Sequence, residues 1–129
     1  MAQGFRDLKV WRVARDLAVL VYRLAAEFPR VELFGITRQM RNAAVSIPAN
    51  IAEGQGRSTR KDYCRFVGVA LGSANELLTA AEIAHELGYG DGADWREFFE
   101  KEEEVRRMLH GLRNSLSRPA KTAPGSSEA

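Results

Sequence analysis

Residues 33–54 read LFGITRQMRNAAVSIPANIAEG, and two series of side chains run through them at helical spacings of three or four residues. The apolar series is Ile36, Met40, Ala44, Ile47 and Ile51. The second series is small and polar: Gln39, Ala43, Ser46, Asn50 and Glu53. Such spacing places each series along one face of an α-helix. Because both keep register across Pro48, they predict one helix over about residues 33–54, bent where the proline removes a backbone hydrogen bond.

Three further stretches carry apolar side chains at the same helical spacing. They predict helices over about residues 8–27, 60–87 and 95–117. The connections between them are short, which favours an antiparallel up-down-up-down four-helix bundle. We therefore expect one all-α domain over residues 5–117. Residues 118–129 carry no apolar side chain beyond alanine, and we predict that they form a disordered tail.

Residues that end or begin helices lie in the predicted turns. Gly54 or Gly56 can adopt the left-handed conformation that ends a helix. Ser58 or Thr59 can cap the third helix with a side-chain oxygen, and Asp94 is placed to cap the fourth.

The composition is that of a soluble globular protein, with 45% hydrophobic and 28% charged residues in a chain of 129. Cys64 is the single cysteine, so neither an intrachain disulfide nor a cysteine-based zinc site can form, and we expect a buried, inert thiol. No apolar run approaches the roughly 20 residues that a membrane-spanning helix needs. We expect a cytoplasmic protein.

The formal net charge of +2 conceals an uneven distribution. Residues 1–72 carry twelve Lys and Arg against six Asp and Glu, whereas residues 73–129 carry seven against eleven. The basic half can form a surface that binds a polyanion. Opposite charges can equally meet between neighbouring helices or subunits, and the sequence leaves both interpretations open.

No pattern of residues indicates catalysis or metal binding. Residues 82–85 form the one Glu-x-x-His pattern, whereas di-iron bundles need several inward carboxylates and paired motifs of this kind. Gly54 and Gly56 follow a helix and precede no Gly-Lys-Ser/Thr motif, which argues against a phosphate-binding loop. We expect a non-enzymatic protein without a metal, a cofactor or a small-molecule substrate.

The polar series of the second helix has a counterpart on the third. Together the two helices carry Gln39, Ser46, Asn50, Glu53, Ser73 and Glu76. Because buried carboxylates are costly unless they are paired, these residues either form an internal network that fixes helix register or face a partner subunit or ligand. We favour the internal network, in which Glu76 pairs with Arg41 or Arg38.

Six basic residues form a candidate nucleic-acid-binding surface: Arg38, Arg41, Arg57, Arg60, Lys61 and Arg65. Tyr63 and Phe66 are interleaved with them, and aromatic side chains can stack on bases while basic ones hold the phosphate backbone. The same residues can also decorate a solvated helix start. What separates the two interpretations is whether the six form one exposed patch or are engaged by Glu53, Glu76 and the acidic residues 100–104.

Five motifs stand out along the chain: FRDLKVW at residues 5–11, FP at 28–29, ELFGITRQMRNAAVSIPANIAEG at 32–54, GSANEL at 72–77 and LGY at 87–89. Over about residues 5–117 they closely resemble the four-helix bundle proteins named after intervening sequences of 23S ribosomal RNA. The resemblance implies a protomer that assembles into a homopentameric, barrel-like ring. Asn50, Glu53, Gly54, Ser73 and Glu76 match the family's motif positions, and no catalytic role attaches to them.

That family is similar to the accessory protein of diversity-generating retroelements, which binds nucleic acid and a reverse transcriptase through a basic surface. The resemblance therefore implies an oligomer that engages structured RNA, DNA or a nucleic-acid-handling protein. Self-association is also favoured by Trp11, Val13 and Leu20, which widen the apolar stripe of the first helix beyond what a bundle interior needs. The alternative is a protein–protein interaction scaffold with no nucleic-acid role.

Overall fold

The computed structural model describes residues 4–119, which form four α-helices and two short 3-10 helices. The α-helices are α1 (Lys9–Ala25), α2 (Ile36–Gln55), α3 (Arg60–Glu86) and α4 (Gly92–Ser117). The 3-10 helices are Phe5–Asp7 and Arg30–Glu32, and the described range contains no strand. The predicted all-α class with four helices is confirmed. The predicted disordered tail falls largely on residues 120–129, which lie outside the described residues.

Helix α2 is a single helix that continues through Pro48, as its two series of side chains predict. It begins at Ile36, three residues later than expected, because the preceding chain forms the 3-10 helix Arg30–Glu32. The Glu32 carboxylate accepts a hydrogen bond from the Ile36 amide at 3.4 Å. This contact satisfies one of the amides that a helix start leaves without a partner.

The core is built from the apolar series of the four helices. Each helix contacts the next one along the chain, and α1 also contacts α4. Side chains with no solvent exposure include Leu17, Leu24, Met40, Ile47, Ile51, Leu77, Phe98 and Leu109. Leu20, predicted to face a partner, is also buried because it lies one helical turn from Leu17 and Leu24. Trp11 and Val13 are only partly buried.

Helices α2 and α3 make the most extensive contact between helices. A Cβ atom on Gly54 would lie 2.9 Å from the Cβ of Phe66 and 3.0 Å from Cδ1 of Tyr63, so glycine is required for this close approach. Gly54 is therefore a packing residue inside α2. The prediction that Gly54 or Gly56 ends the helix in a left-handed conformation is wrong, since neither has a positive φ.

The capping residue predicted from the sequence is confirmed for α3 and wrong for α4. Thr59 caps α3, because its hydroxyl accepts a hydrogen bond from the Asp62 amide at 3.1 Å. Helix α4 begins at Gly92 rather than near residue 95, because Asp91 accepts a hydrogen bond from the Ala93 amide at 2.8 Å. Asp94 consequently lies in the first turn of α4, and its predicted capping role is wrong.

Trp95 anchors the turn between α3 and α4. It is 2% exposed, and its indole N–H donates to the Tyr89 carbonyl. Its ring lies 5.2–6.1 Å from four others: Phe28, His85, Phe98 and Phe99. Gly90 has a φ of 84°, and a Cβ there would lie 2.9 Å from the indole nitrogen. The Tyr89 hydroxyl donates to Glu32 at 3.0 Å, and this hydrogen bond raises the pKa of Tyr89.

Candidate interaction surfaces

Three of the polar residues predicted to form a network meet between α2 and α3. The hydroxyl oxygens of Ser46 and Ser73 lie 2.7 Å apart. The Asn50 side-chain amide donates to the Ser46 carbonyl at 2.8 Å and to its hydroxyl at 3.0 Å. Ser73 is 8% exposed, so this contact is largely withdrawn from solvent. It fixes the position of one helix along the other, because a shift of either would leave the buried Ser73 hydroxyl without its partner.

The other three polar residues, Gln39, Glu53 and Glu76, are exposed. Glu53 accepts a hydrogen bond from Arg57 at 3.0 Å, one helical turn away. Glu76 forms no ion pair with Arg38 or Arg41 in the range 4–119, so that hypothesis is wrong. A solvated carboxylate needs no such partner, because water already stabilises its charge.

The six predicted basic residues fall into two groups. Arg38 and Arg41 lie in the first two turns of α2, whereas Arg57, Arg60, Lys61 and Arg65 lie at or after its end. Arg41 and Arg57 are separated by a helical rise of about 24 Å. The sequence led us to expect one positive side of the bundle. The structure instead places these residues in two separate clusters.

The cluster at the α2–α3 turn is largely engaged within the chain. Arg57 lies 3.0 Å from Glu53 and 3.7 Å from Asp62, and Arg65 lies 2.9 Å from Asp62. Both guanidinium groups also lie over the Phe66 ring, 4.6 and 4.4 Å from its centroid. Phe66, expected as a base-stacking residue, is thus occupied by two arginines.

Arg60 holds the end of α4. One of its terminal nitrogens donates to the Ser115 carbonyl at 2.6 Å and to the Arg118 carbonyl at 3.2 Å. A cation at this position satisfies carbonyls that the helix end leaves free and opposes the negative end of the helix dipole. Lys61 is exposed and makes no ion pair within the described part of the chain.

The cluster at the start of α2 lacks acidic partners. The Arg38 guanidinium lies 5.9 Å from the centroid of Phe34, and that of Arg41 lies 5.0 Å from the centroid of Tyr22. Neither arginine meets a carboxylate within 4.0 Å among residues 4–119. Nε of Arg41 is buried without a hydrogen-bond partner. Together with Lys61, these two arginines are therefore predicted basic residues that have no acidic partner in the described range.

An apolar groove of about 500 Å³ runs between α1 and α2. Its lining is Phe5, Trp11, Arg15, Ala18, Val19, Tyr22, Val45, Pro48, Ala49 and Ala52, of which only Arg15 is charged. Val19, Tyr22 and Val45 are 45–46% exposed. Of the residues that line the groove, only Trp11 was predicted from the sequence to lie on a surface that contacts a partner. The available signal was the pairing of Val19 and Tyr22 at helical spacing, outside the core series.

The described residues assemble no metal site. Residues 4–119 contain no group of three or more His, Cys, Asp or Glu side chains that could hold a metal ion. Cys64 is half-buried, and its Sγ lies 4.0 Å from the Arg113 carbonyl oxygen. None of the helices in this range combines the length and apolar character needed to cross a membrane.

Another feature missed from the sequence is an ion pair on α4 between a buried carboxylate and a partly exposed arginine. Glu102 is 1% exposed, and both of its carboxylate oxygens accept hydrogen bonds from Arg106, at 3.1 and 3.2 Å. This contact raises the pKa of the Arg106 guanidinium. Glu102, the buried residue of the acidic run at 100–104, thus pairs with an arginine of its own helix. None of the six predicted basic residues pairs with this run in the described range.

The family model described as 23S rRNA-intervening sequence protein matches residues 6–111. The chain belongs to this family. A fold comparison finds a crystal structure at 1.70 Å of a protein with unknown function from the S23 ribosomal protein family of Bacteroides thetaiotaomicron VPI-5482. The two chains are 21% identical and superpose with a TM-score of 0.72 over 81% of this chain and 97% of the other. The comparison with curated proteins gave no match.

The sequence resemblance to the family singled out five residues as expected motif positions: Asn50, Glu53, Gly54, Ser73 and Glu76. Asn50 and Ser73 belong to the hydrogen-bond network with Ser46. Gly54 permits the close approach of α2 and α3. Three of these five residues therefore lie in the α2–α3 contact, whereas the two carboxylates are exposed.

Proposed function

We propose that this member of the 23S rRNA-intervening sequence protein family is a non-enzymatic, homo-oligomeric helical scaffold that acts through protein–protein contacts. The observation that carries the proposal is the apolar groove between α1 and α2. Its lining has one charged residue, and three of its large side chains are nearly half exposed. A contiguous apolar surface of this kind favours contact with another protein surface over contact with water.

The basic residues support protein contacts over nucleic-acid binding. Arg57 and Arg65 are paired with carboxylates, and Arg60 is held by backbone carbonyls. Freeing them for phosphate groups would leave these partners unsatisfied, which reduces the net gain from each phosphate contact.

For the quaternary structure we propose what the family resemblance implies, a homopentameric ring of antiparallel up-down-up-down bundles, in the cytoplasm. In the protomer, the contacts of each helix with the next and of α1 with α4 fit this topology. A ring repeats each surface five times, and such repetition raises avidity for a multivalent partner without any new contact.

The test is the mass of the full chain in solution, by sedimentation velocity with light scattering. Wild-type protein is expected as an assembly several times heavier than the 14.4 kDa chain. Val19→Asp with Val45→Asp places two carboxylates in the groove, so this variant is expected to run as single chains with unchanged helical circular dichroism.

The matched control is Val69→Asp, which changes an equally exposed valine on α3. It is expected to assemble like the wild type. A wild-type chain that stays at 14.4 kDa at every concentration contradicts self-association, and an assembled Val19/Val45 variant contradicts the role of the groove.

A second candidate function is binding of structured RNA or DNA at the α2–α3 turn. Two observations favour it: Lys61 is free in the described chain, and four basic residues there face only two acidic ones, Glu53 and Asp62. The resemblance to the accessory protein of diversity-generating retroelements points the same way. A ring would add the excess positive charge of five such turns.

A salt titration of binding to structured RNA and to duplex DNA tests this second candidate. Phosphate contacts predict affinity that falls steeply with salt and is reduced by Lys61→Glu. Lys9→Glu, at an exposed lysine on α1, is the control for net charge. If the assembled wild type does not bind at low salt, nucleic acid is not its partner.

A further inference from the structure

The outer face of α3 carries a second exposed apolar surface, which we call the acidic face. It comprises Glu82, Ile83, Glu86 and Leu87, with Leu78 and Thr79 beside them around a depression of about 480 Å³. Ile83 and Leu87 are 51% and 57% exposed. Neither Glu82 nor Glu86 forms an ion pair within residues 4–119. The acidic face therefore combines exposed apolar side chains with negative charge that nothing in the described chain neutralises.

The groove between α1 and α2 has the opposite charge at its edges. Arg15 lines it, and within residues 4–119 its only acidic contact is the neighbouring Asp16, with both side chains about half exposed. Arg41 lies over Tyr22 at the groove and has no carboxylate partner in the described range. A half-buried guanidinium without a counter-charge gains from an external carboxylate.

We infer that the acidic face of one copy occupies the groove between α1 and α2 of a second copy. This inference rests on the proposed self-association and names the two surfaces that carry it. In the contact, Ile83 and Leu87 pack against the apolar lining, and Glu82 and Glu86 lie toward Arg15 and Arg41. Both surfaces lose exposed apolar area, and both sets of charges gain partners.

The dimensions of the two surfaces agree. The groove extends along α1 from Trp11 to Tyr22, a rise of about 16 Å, and the acidic face extends from Leu78 to Leu87, about 14 Å. A helix face of two to three turns thus fits along the groove without overhang. Residues of one helix pack between those of its neighbours in this way wherever helices meet.

The two surfaces lie on different helices, so each copy offers one of each. A contact between unlike surfaces is heterologous, and its repetition forms a ring when the rotation between copies closes. One interface of this kind is sufficient to build a closed ring of identical chains.

Charge exchange on the full chain tests the pairing, read out by sedimentation velocity over a range of concentrations. Glu82→Arg with Glu86→Arg makes both surfaces basic, and Arg15→Glu with Arg41→Glu makes both acidic. Each variant is expected to raise the concentration for half-assembly by roughly tenfold or more, because like charges then meet. The variant with all four substitutions is expected to regain assembly, because opposite charges then meet again in every contact.

The control is Glu97→Arg with Glu100→Arg, an exposed acidic pair on α4 that gives the same change in net charge. It is expected to assemble like the wild type. The inference is overturned if the wild type assembles and the acidic-face variant behaves like this control, or if the four substitutions together do not restore assembly. A wild type that never assembles contradicts instead the proposed function on which the inference rests.

Discussion

Helix α2 makes one closed contact and one open contact. Toward α3, Gly54 and the Ser46–Ser73 hydrogen bond bring the helices close. Toward α1, Ala49 and Ala52 line a groove that nothing in the described chain fills. Small side chains are present on both sides. The difference teaches that small residues close a helix contact where opposing groups hydrogen bond or pack at short range, and otherwise leave a surface for another molecule.

Among these variants, we expect the largest loss of stability when one methyl group is added to the contact between α2 and α3. Gly54→Ala is expected to lower the free energy of unfolding by about 1–3 kcal/mol, because overpacking forces helices apart. Its new Cβ would lie 2.9 Å from the Cβ of Phe66. Gly111→Ala on α4, where nothing lies within 4 Å, is expected to raise it by up to about 1 kcal/mol. Urea unfolding measures both, and equal effects would contradict the short approach.

The Ser46–Ser73 hydroxyl pair should contribute less to the free energy of unfolding than the close approach at Gly54 does. Ser46→Ala and Ser73→Ala are each expected to cost about 1 kcal/mol, because each leaves a partner without its hydrogen bond. Together they should cost less than the sum, by about 0.5–1 kcal/mol. A double-mutant cycle measures this coupling. Strictly additive effects would mean that the two hydroxyls do not stabilise the contact jointly.

The pKa of Tyr63 reports how far water is excluded from the contact between α2 and α3. Burial raises the pKa of its hydroxyl above the ordinary value of 10.0. A raised pKa means that the associated stability is present below pH 10.0 and is lost as pH rises through the folded-state value. The difference in tyrosinate absorbance between wild type and Tyr63→Phe should therefore titrate above pH 10.0. If the absorbance change assigned to Tyr63 titrates at or below that value, water reaches the contact between α2 and α3.

The open contact is expected to matter least to the stability of a single chain. Val19→Ser should change the free energy of unfolding by no more than about 0.5 kcal/mol in dilute, dissociated protein, because this valine is 45% exposed. Val21→Ser on the same helix should cost several times as much, because Val21 has no exposure. Comparable losses at the two positions would show that the groove belongs to the core.

The sequence predicted the four helices because helical periodicity is a local property that survives in the folded chain. The hydrogen-bonding members of the polar series were predictable for the same reason. Gly54 was misread because a glycine near a helix end is compatible with both a turn and a close approach. Asp94 was misread because Asp91, three residues earlier, is an equally good cap.

The candidate surfaces were harder to predict, since they depend on distance along the helices. Arg41 and Arg57 share a predicted side of the bundle, yet a helical rise of about 24 Å separates them. Whether an arginine is engaged depends on partners such as the Ser115 carbonyl, which is distant in sequence. The groove was missed because its exposed residues lie outside the apolar series that form the core.

The two tryptophans of the chain occupy contrasting environments. Trp95 is buried among aromatic rings at the α3–α4 turn, and Trp11 lies partly exposed in the groove. The protein therefore carries two indole fluorophores that report on different parts of the molecule. Emission from Trp95 reports loss of the folded core, and emission from Trp11 reports what fills the groove. Trp11→Phe and Trp95→Phe variants would let one spectrometer follow assembly and unfolding as independent signals, without any attached dye.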